Sequence, residues 1–484
     1  MLSNNVSKRP VCARDLPSTE DLLVSGGDAR IAIDPVSRLN KYGCQPFPDP
    51  ALLDFGSSTA SVISQAGFVA ANSLRERLLR EAGADTLKIA CARAMQRIRQ
   101  ALLHDVSDLG VRLVFATSGT DAHFIAALHA GVPLTVVMVE EAETGSGVAA
   151  ALSASFCGKA AGAIERVSLR ETDGMPRPLA DIDAEVSASV ERAVMLGRRV
   201  LLIMVDQSKT GMIAPSTACV MQLGQLHRKH VAVLVDACQF RIAKPTLRAY
   251  LQQGFMVALT GSKFLTGPSF SAVLLLPQRM QGLPGDDAAL TGEDVANVGL
   301  LLRWEAALVE LRRFGSLPQS QIVEFMGAFA QAVQQRLNDD PRFEFLPAPQ
   351  PDRRPLIEAH SWDHLPSIFP FLLYRVHGAV AVDKKHFSRT PLNREETQQI
   401  YRQLQVSEDG SGLGSIAALR CQLGQPVACG VRSGIAVSAL RLCISARLIS
   451  DAAGQKGIDG VISDALAVLD KTVWLIDRLM KQTG

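Results

Sequence analysis

The chain has 484 residues, long enough for two domains or one large one. Apolar residues make up 47% and charged residues 20%, the balance of a folded globular protein, and an aromatic share of 5% leaves most of the core to aliphatic side chains. A formal net charge of +2 gives no electrostatic case for nucleic acid or an anionic membrane, and no apolar run approaches the roughly 20 residues that span a bilayer.

Residues 1–50 are rich in Pro, Gly, Asp and Ser and predict an irregular arm. Residues 1–18 mix Lys8, Arg9 and Arg14 with polar residues and hold no apolar stretch of the secretory type. The nine cysteines are odd in number and lack CxxC spacing, which predicts reduced thiols and a cytoplasmic setting rather than disulfides or a zinc site.

From about residue 56 to 280 the pattern alternates. Apolar runs at 112–116, 134–139, 200–205, 231–235, 256–260 and 272–276 predict strands, several of them apolar at nearly every position. That is the mark of parallel strands buried on both faces. Helix-length segments such as 121–130 and 183–196 lie between them, so the predicted architecture is α/β with a mainly parallel sheet. A compositional break in GLPGDD near 280–290 predicts a domain boundary. Beyond it come predicted helices over 292–314, 319–338, 393–404 and 458–479, and strands over 368–376 and 439–444. The expected division is an arm at 1–55, a large domain at 56–285, and a linking helix with a smaller α+β domain at 286–484.

Ligands of such sheets bind at the carboxyl ends of the strands, and four strand ends carry polar residues. After 112–116 comes Thr117-Ser118-Gly119-Thr120 at a helix start. Its hydroxyls and free N–H groups suit a phosphate, and they equally suit an ordinary N-cap. After 200–205 comes Asp206-Gln207-Ser208-Lys209-Thr210-Gly211, where Ser208 or Gln207 is a candidate hydrogen-bond donor and the alternative is a simple turn. After 231–235 comes Asp236-Ala237-Cys238-Gln239. An acid ending an apolar strand needs a cationic partner, unless it is only a helix cap. After the strand at 256–260 comes Gly261-Ser262-Lys263-Phe264-Leu265-Thr266-Gly267-Pro268. A lysine desolvated between glycines is a nucleophile toward an aldehyde, and the alternative is a surface lysine on a loop.

This ordered set resembles the fold-type I pyridoxal 5′-phosphate (PLP) enzymes, within the class V aminotransferase and cysteine desulfurase group. The resemblance implies a PLP-dependent transferase or lyase, with Lys263 as the Schiff-base lysine. It implies Ser118, Gly119 and Thr120 as the phosphate loop, Asp236 on the pyridine nitrogen with Gln239 as the phenolate-binding residue, and Thr260 and Ser262 beside the lysine; with that cofactor, Ser208 or Gln207 is a further candidate for the phenolic oxygen. The segment 54–61 resembles the substrate-side N-terminal segment of some members, and Arg441 resembles the arginine that holds a substrate α-carboxylate. An amino-acid substrate and a homodimer follow from the same likeness. No metal is expected: His360 and His364 are four apart, beside Pro366 in a loop-like stretch.

Three places depart from the family. The loop 140–147 has no ring to stack on a cofactor, and His123 is either a substitute or a buried helix histidine. Glu140, Glu141 and Glu143 are either solvated or contacts for a cationic substrate. Cys429 stands roughly where a desulfurase would place its reactive thiol, although buried cysteines are commonly inert. A catalytically idle scaffold and a Rossmann nucleotide binder are the other classes, and the second lacks a GxGxxG after its first strand.

Overall fold

The structure, a computed structural model, describes residues 16–84, 86–145, 147–153, 163–280, 297–358, 361–377, 388–408 and 415–483. GLPGDD, His360 and the first part of the arm lie outside the described residues.

Strand β1 (Leu52–Phe55) joins the smaller sheet. The large sheet is made of β2 (Arg112–Ala116), β3 (Leu134–Val139), β4 (Ala163–Val167), β5 (Arg199–Val205), β6 (Val231–Ala237), β7 (Met256–Thr260) and β8 (Ala272–Leu276). Their spatial order is β2-β8-β7-β6-β5-β3-β4. Strands β7, β6, β5, β3 and β4 pair in parallel, while β8 is antiparallel to both β2 and β7. A parallel return needs a crossover of about a dozen or more residues, usually helical. The connection 261–271 has no helix, so β8 turns straight back. Strand β4, which sequence patterning did not predict, is an exposed edge with only Val167 buried.

Strand period 2 splits the apolar residues between two cores. Val200, Leu202, Met204, Val233, Val235, Val257 and Leu259 face one. Leu201, Ile203, Ala232, Leu234, Met256 and Ala258 face the other, with Ala122, Ile125 and Ala126 of helix Gly119–Ala130. Asp236 shares parity with Ala232 and Leu234. It therefore points to the face that this helix covers.

The second sheet contains β9 (Phe343–Phe345), β10 (Ile368–His377), β11 (Ser388–Pro391), β12 (Arg420–Arg432) and β13 (Ile435–Cys443), in the order β1-β12-β13-β10-β11 with β9 beside β10. Helices Gln319–Asp339, Arg394–Leu404 and Gly457–Thr483 pack an apolar core on one face. Gly424, Pro426 and Gly430 interrupt the apolar pattern of strand β12, and the register shifts there show irregular pairing with β13.

Buried polar side chains join the two sheets. The Arg241 guanidinium, fully buried after β6, donates to the Ile444 carbonyl at 2.7 Å and to Ser57 Oγ at 2.9 Å. Arg353 makes a two-pronged pair with Asp206 at the end of β5, both bonds 2.7 Å. The loops at the carboxyl edge of the large sheet are thus tied to the second sheet. No helix among the described residues is long and apolar enough to cross a membrane.

Candidate active site

A cavity of about 280 Å³ opens at the carboxyl edge of the large sheet. Ser118, Gly119, Thr120, Asp236, Thr260, Ser262, Lys263 and Arg441 all line it, and so do His123 and Lys209. They come from several different loops and strand ends, which the sheet geometry brings together.

Lys263 sits in a loop pressed against helix Val298–Gly315. A Cβ on either Gly261 or Gly267 would lie 2.7 Å from Ala307 Cβ, so the glycines flanking the lysine exist for close approach. The Thr266 N–H bonds the Lys263 carbonyl at 2.8 Å, and the Gly267 N–H bonds the Gly261 carbonyl at 2.8 Å. Lys263 Nζ has no hydrogen bond or ion pair with any described residue.

Asp236 is buried among identifiable partners. Thr144 Oγ1 donates to Oδ2 at 2.9 Å, the Cys238 N–H to Oδ1 at 3.1 Å, and His123 Nε2 stands 3.2 Å from Oδ2. Burial opposes its charge, but His123 and Lys263 outweigh that and hold the carboxyl well below the usual range. Burial likewise works against a charged His123, yet Asp236 raises its pKa. His123 Nδ1 is 2.7 Å from the Gly119 carbonyl one turn back, a contact that places a proton on Nδ1 and leaves Nε2 facing the acid. The cation that Asp236 requires is thus supplied in part by the protein.

The Ser118 side chain caps helix Gly119–Ala130 in a capping box with Asp121, so its hydroxyl serves the helix first. A Cβ on Gly119 would come within 3.0 Å of Cys238 Sγ. The Thr260 hydroxyl donates to the Cys238 carbonyl at 2.6 Å, which locks the β7 end to the β6 end.

Arg441, on β13, is buried with no carboxylate at ion-pair distance among the described residues. Its NH2 donates to Thr59 Oγ1 at 3.0 Å and to the Gln425 carbonyl at 2.5 Å, and its NH1 to the Lys209 carbonyl at 3.2 Å. Its Nε has no partner, and neither has the buried Ser58 Oγ. The facing residue is Gly424, where a Cβ would lie 3.0 Å from that Nε.

Two expected residues stand off the cavity. Ser208 Oγ donates to Glu143 Oε2 at 2.7 Å, and Gln239 Nε2 to the Ser58 carbonyl at 3.1 Å. Neither lines the cavity, because each is spent on positioning a neighbouring loop. Gln207 likewise turns away, to the Arg241 carbonyl at 3.4 Å. The acidic loop is neither solvated throughout nor aimed at substrate. Glu143 is buried against Arg170 at 2.7 Å and takes bonds from Ser208 and Thr210. Burial opposes its charge, but these partners lower its pKa. Glu141 pairs with Arg166, and Glu140 accepts from the Leu169 N–H. Cys429 is buried off the cavity, and burial pushes its thiol up to about 11.

Sequence reading missed Lys209, Thr144, Arg30 and Tyr42. Lys209 stood in view beside Ser208, but which of two adjacent loop residues faces a cavity has no periodic signal. Arg30 and Tyr42 come from the arm, where no pattern places a side chain.

Among solved structures, Oryza sativa TDC with PLP and tryptamine matches at 15% identity, with 88% of this chain and 84% of that chain covered and a TM-score of 0.51. The NifS-like protein from Rickettsia africae matches at 12% identity, with 87% and 99% covered and a TM-score of 0.52. Mouse CSAD matches at 15%, with 88% and 85% covered and a TM-score of 0.51. The fold is theirs. It is the fold-type I architecture expected above: a large, mostly parallel sheet with a second, smaller sheet. No family model matches the chain, and no curated protein matches it by sequence.

Proposed function

We propose that this chain is a PLP-dependent enzyme of aminotransferase or lyase type that transforms an amino-acid substrate at Cα or Cβ, with Lys263 carrying the cofactor. The observation that carries the reading is the Lys263 amine, without hydrogen bond or ion pair among the described residues, in the same cavity as the Asp236 carboxylate that faces His123. The Oryza sativa protein holds PLP on this fold, which supports the choice of cofactor.

The residues fit the group. The start of helix Gly119–Ala130, with Gly119 and Thr120, offers N–H groups and a hydroxyl to a phosphate, and Ser262 offers another hydroxyl. Asp236 would hold a proton on the ring nitrogen, while His123 and Thr144 fix its carboxylate. Arg441, which lines the cavity without a carboxylate partner among the described residues, would take the substrate α-carboxylate. When bound, the cofactor supplies the electron sink that weakens the bonds at Cα. Lys263 Nζ, once displaced by substrate, would accept and return the proton. No aromatic ring comes from the loop after β3; Ala142, Gly145 and Val148 line that wall instead. A homodimer is part of the proposal and is checked by light scattering.

A cysteine desulfurase or C–S lyase is the alternative, and Cys429 lends it no support from its buried position off the cavity. The test is direct. Protein purified with PLP should absorb near the visible edge, and borohydride should fix the cofactor on the peptide containing Lys263. Assays for keto acid, carbon dioxide and sulfide with single amino acids then choose the reaction. Failure to take up PLP, or equal borohydride labelling in Lys263→Ala, overturns the reading.

A further inference from the structure

The cavity holds a cation, Lys209, to which the proposed chemistry gives no partner. Lys263 is assigned to the cofactor and Arg441 to an α-carboxylate, which leaves Lys209. Its N–H bonds the Glu143 carbonyl at 2.8 Å, and its Nζ donates to the Glu141 carbonyl at 2.9 Å. Its own carbonyl accepts Arg441 NH1 at 3.2 Å, so the two cations share one wall.

The carboxylates around them are committed elsewhere. Glu143 belongs to Arg170, Glu141 to Arg166, and Asp236 to His123. Arg30, also at the cavity, is neutralised by Asp28. Among the described residues neither Lys209 nor Arg441 has an ion-pair partner, and both are held only on neutral oxygens. Burial, then the Arg441 and Lys263 charges, bring the Lys209 ammonium down to about 8. Unpaired cations kept together in a partly desolvated wall are costly unless a ligand brings matching charge. The cofactor phosphate would be met by the start of helix Gly119–Ala130 and Ser262, and an α-carboxylate matches only one of the two cations.

We infer that the substrate is an amino acid with an anionic side chain, whose second negative group is held by Lys209 while Arg441 holds the α-carboxylate. The inference rests on the PLP reading. Lysine and arginine bind carboxylates through charge-assisted hydrogen bonds, so an acidic side chain should gain over its neutral amide by about tenfold or more.

The test uses the full-length, PLP-loaded protein. Absorbance titrations with aspartate, glutamate, cysteate and phosphoserine are compared with asparagine and glutamine, and the acid that binds most tightly identifies the anion. At least one acid should bind about tenfold tighter than its amide. Lys209→Gln and Lys209→Met, each confirmed to hold PLP, should bring that ratio close to one. Succinate should raise the Tm of the wild-type protein more than propionate does, a readout that needs no chemistry. Equal binding of acids and amides, an unchanged ratio in a folded Lys209 variant, or loss of PLP itself on replacing Lys209 overturns the inference. If Lys263 is borohydride-labelled and the acids still gain nothing, this inference alone fails. If no label forms, the PLP reading fails and this one falls with it.

Discussion

His123 Nε2 lies 3.2 Å from Asp236 Oδ2, with side chains only 1% and 8% exposed. The pair joins the helix after the first large-sheet strand to the end of the central strand. It lets a carboxylate stay ionised in a core where it would otherwise be protonated.

His123→Phe leaves that carboxylate without its nearest cation and should cost about 3 kcal/mol. The sign follows from the two shifts. Asp236, lowered from 3.8, contributes stability above about 4 that is lost as pH falls through its lower folded value. His123, raised from 6.5, contributes stability that is complete below about 6.5 and lost as pH rises through its higher folded value. Urea unfolding of the cofactor-free protein should therefore show a wider gap between wild type and variant at about pH 5.5 than at about pH 8.5. Equal gaps at both would refute the ion pair.

Lys263→Ala tests the amine itself. The side chain is half-buried and makes no hydrogen bond, but its charge helps to keep Asp236 ionised, so its loss should cost about 1 kcal/mol without unfolding the protein while near-visible absorption disappears. A variant that unfolds instead would show that the lysine holds the loop rather than a cofactor.

Gly261→Ala places a methyl 2.7 Å from Ala307 Cβ and should destabilise by about 1–3 kcal/mol. Ala307→Gly in the same chain should recover part of the loss, read as a coupling energy of about 0.5 kcal/mol or more. Strict additivity in the double variant would mean that the two residues do not press on each other.

Glu143 and Glu141 are close neighbours in one loop with opposite expectations. Glu143→Ala strands a buried Arg170 and should cost about 3 kcal/mol. Glu141→Ala removes an ion pair in which the Arg166 and Glu141 side chains are 44% and 36% exposed, and should cost about 1 kcal/mol or less. Chemical denaturation of the two variants checks the contrast, and comparable losses would contradict the burial of Glu143.

The preference for acidic over amide substrates should decline as pH rises through about 8, where Lys209 loses its proton. Besides burial, the charged groups that set this value are Arg441 on β13, Lys263 after β7, Glu143 after β3 and Asp236 on β6. Taking the ratio of acid to amide binding cancels titration of the substrate amine. A ratio constant from about pH 7 to about pH 9.5 would remove Lys209 from the recognition of charge.

Runs of apolar residues in one stretch of chain determined the six predicted large-sheet strands and the alternation with helices, because burial on both faces leaves a local mark. Glycines around Lys263 and an acid at the end of an apolar strand likewise marked the cavity before any contact was known. What the fold decided was which side chain of each loop turns inward. Ser208 and Gln239 went to neighbouring loops, Lys209 to the cavity, and His123 to Asp236, since such choices depend on partners far apart in sequence. Strand β4 and the full extent of β12 also needed the fold, one for its exposed edge and the other for its interrupting Gly and Pro. A short-range pattern records how much of a segment is buried; only long-range packing records against what.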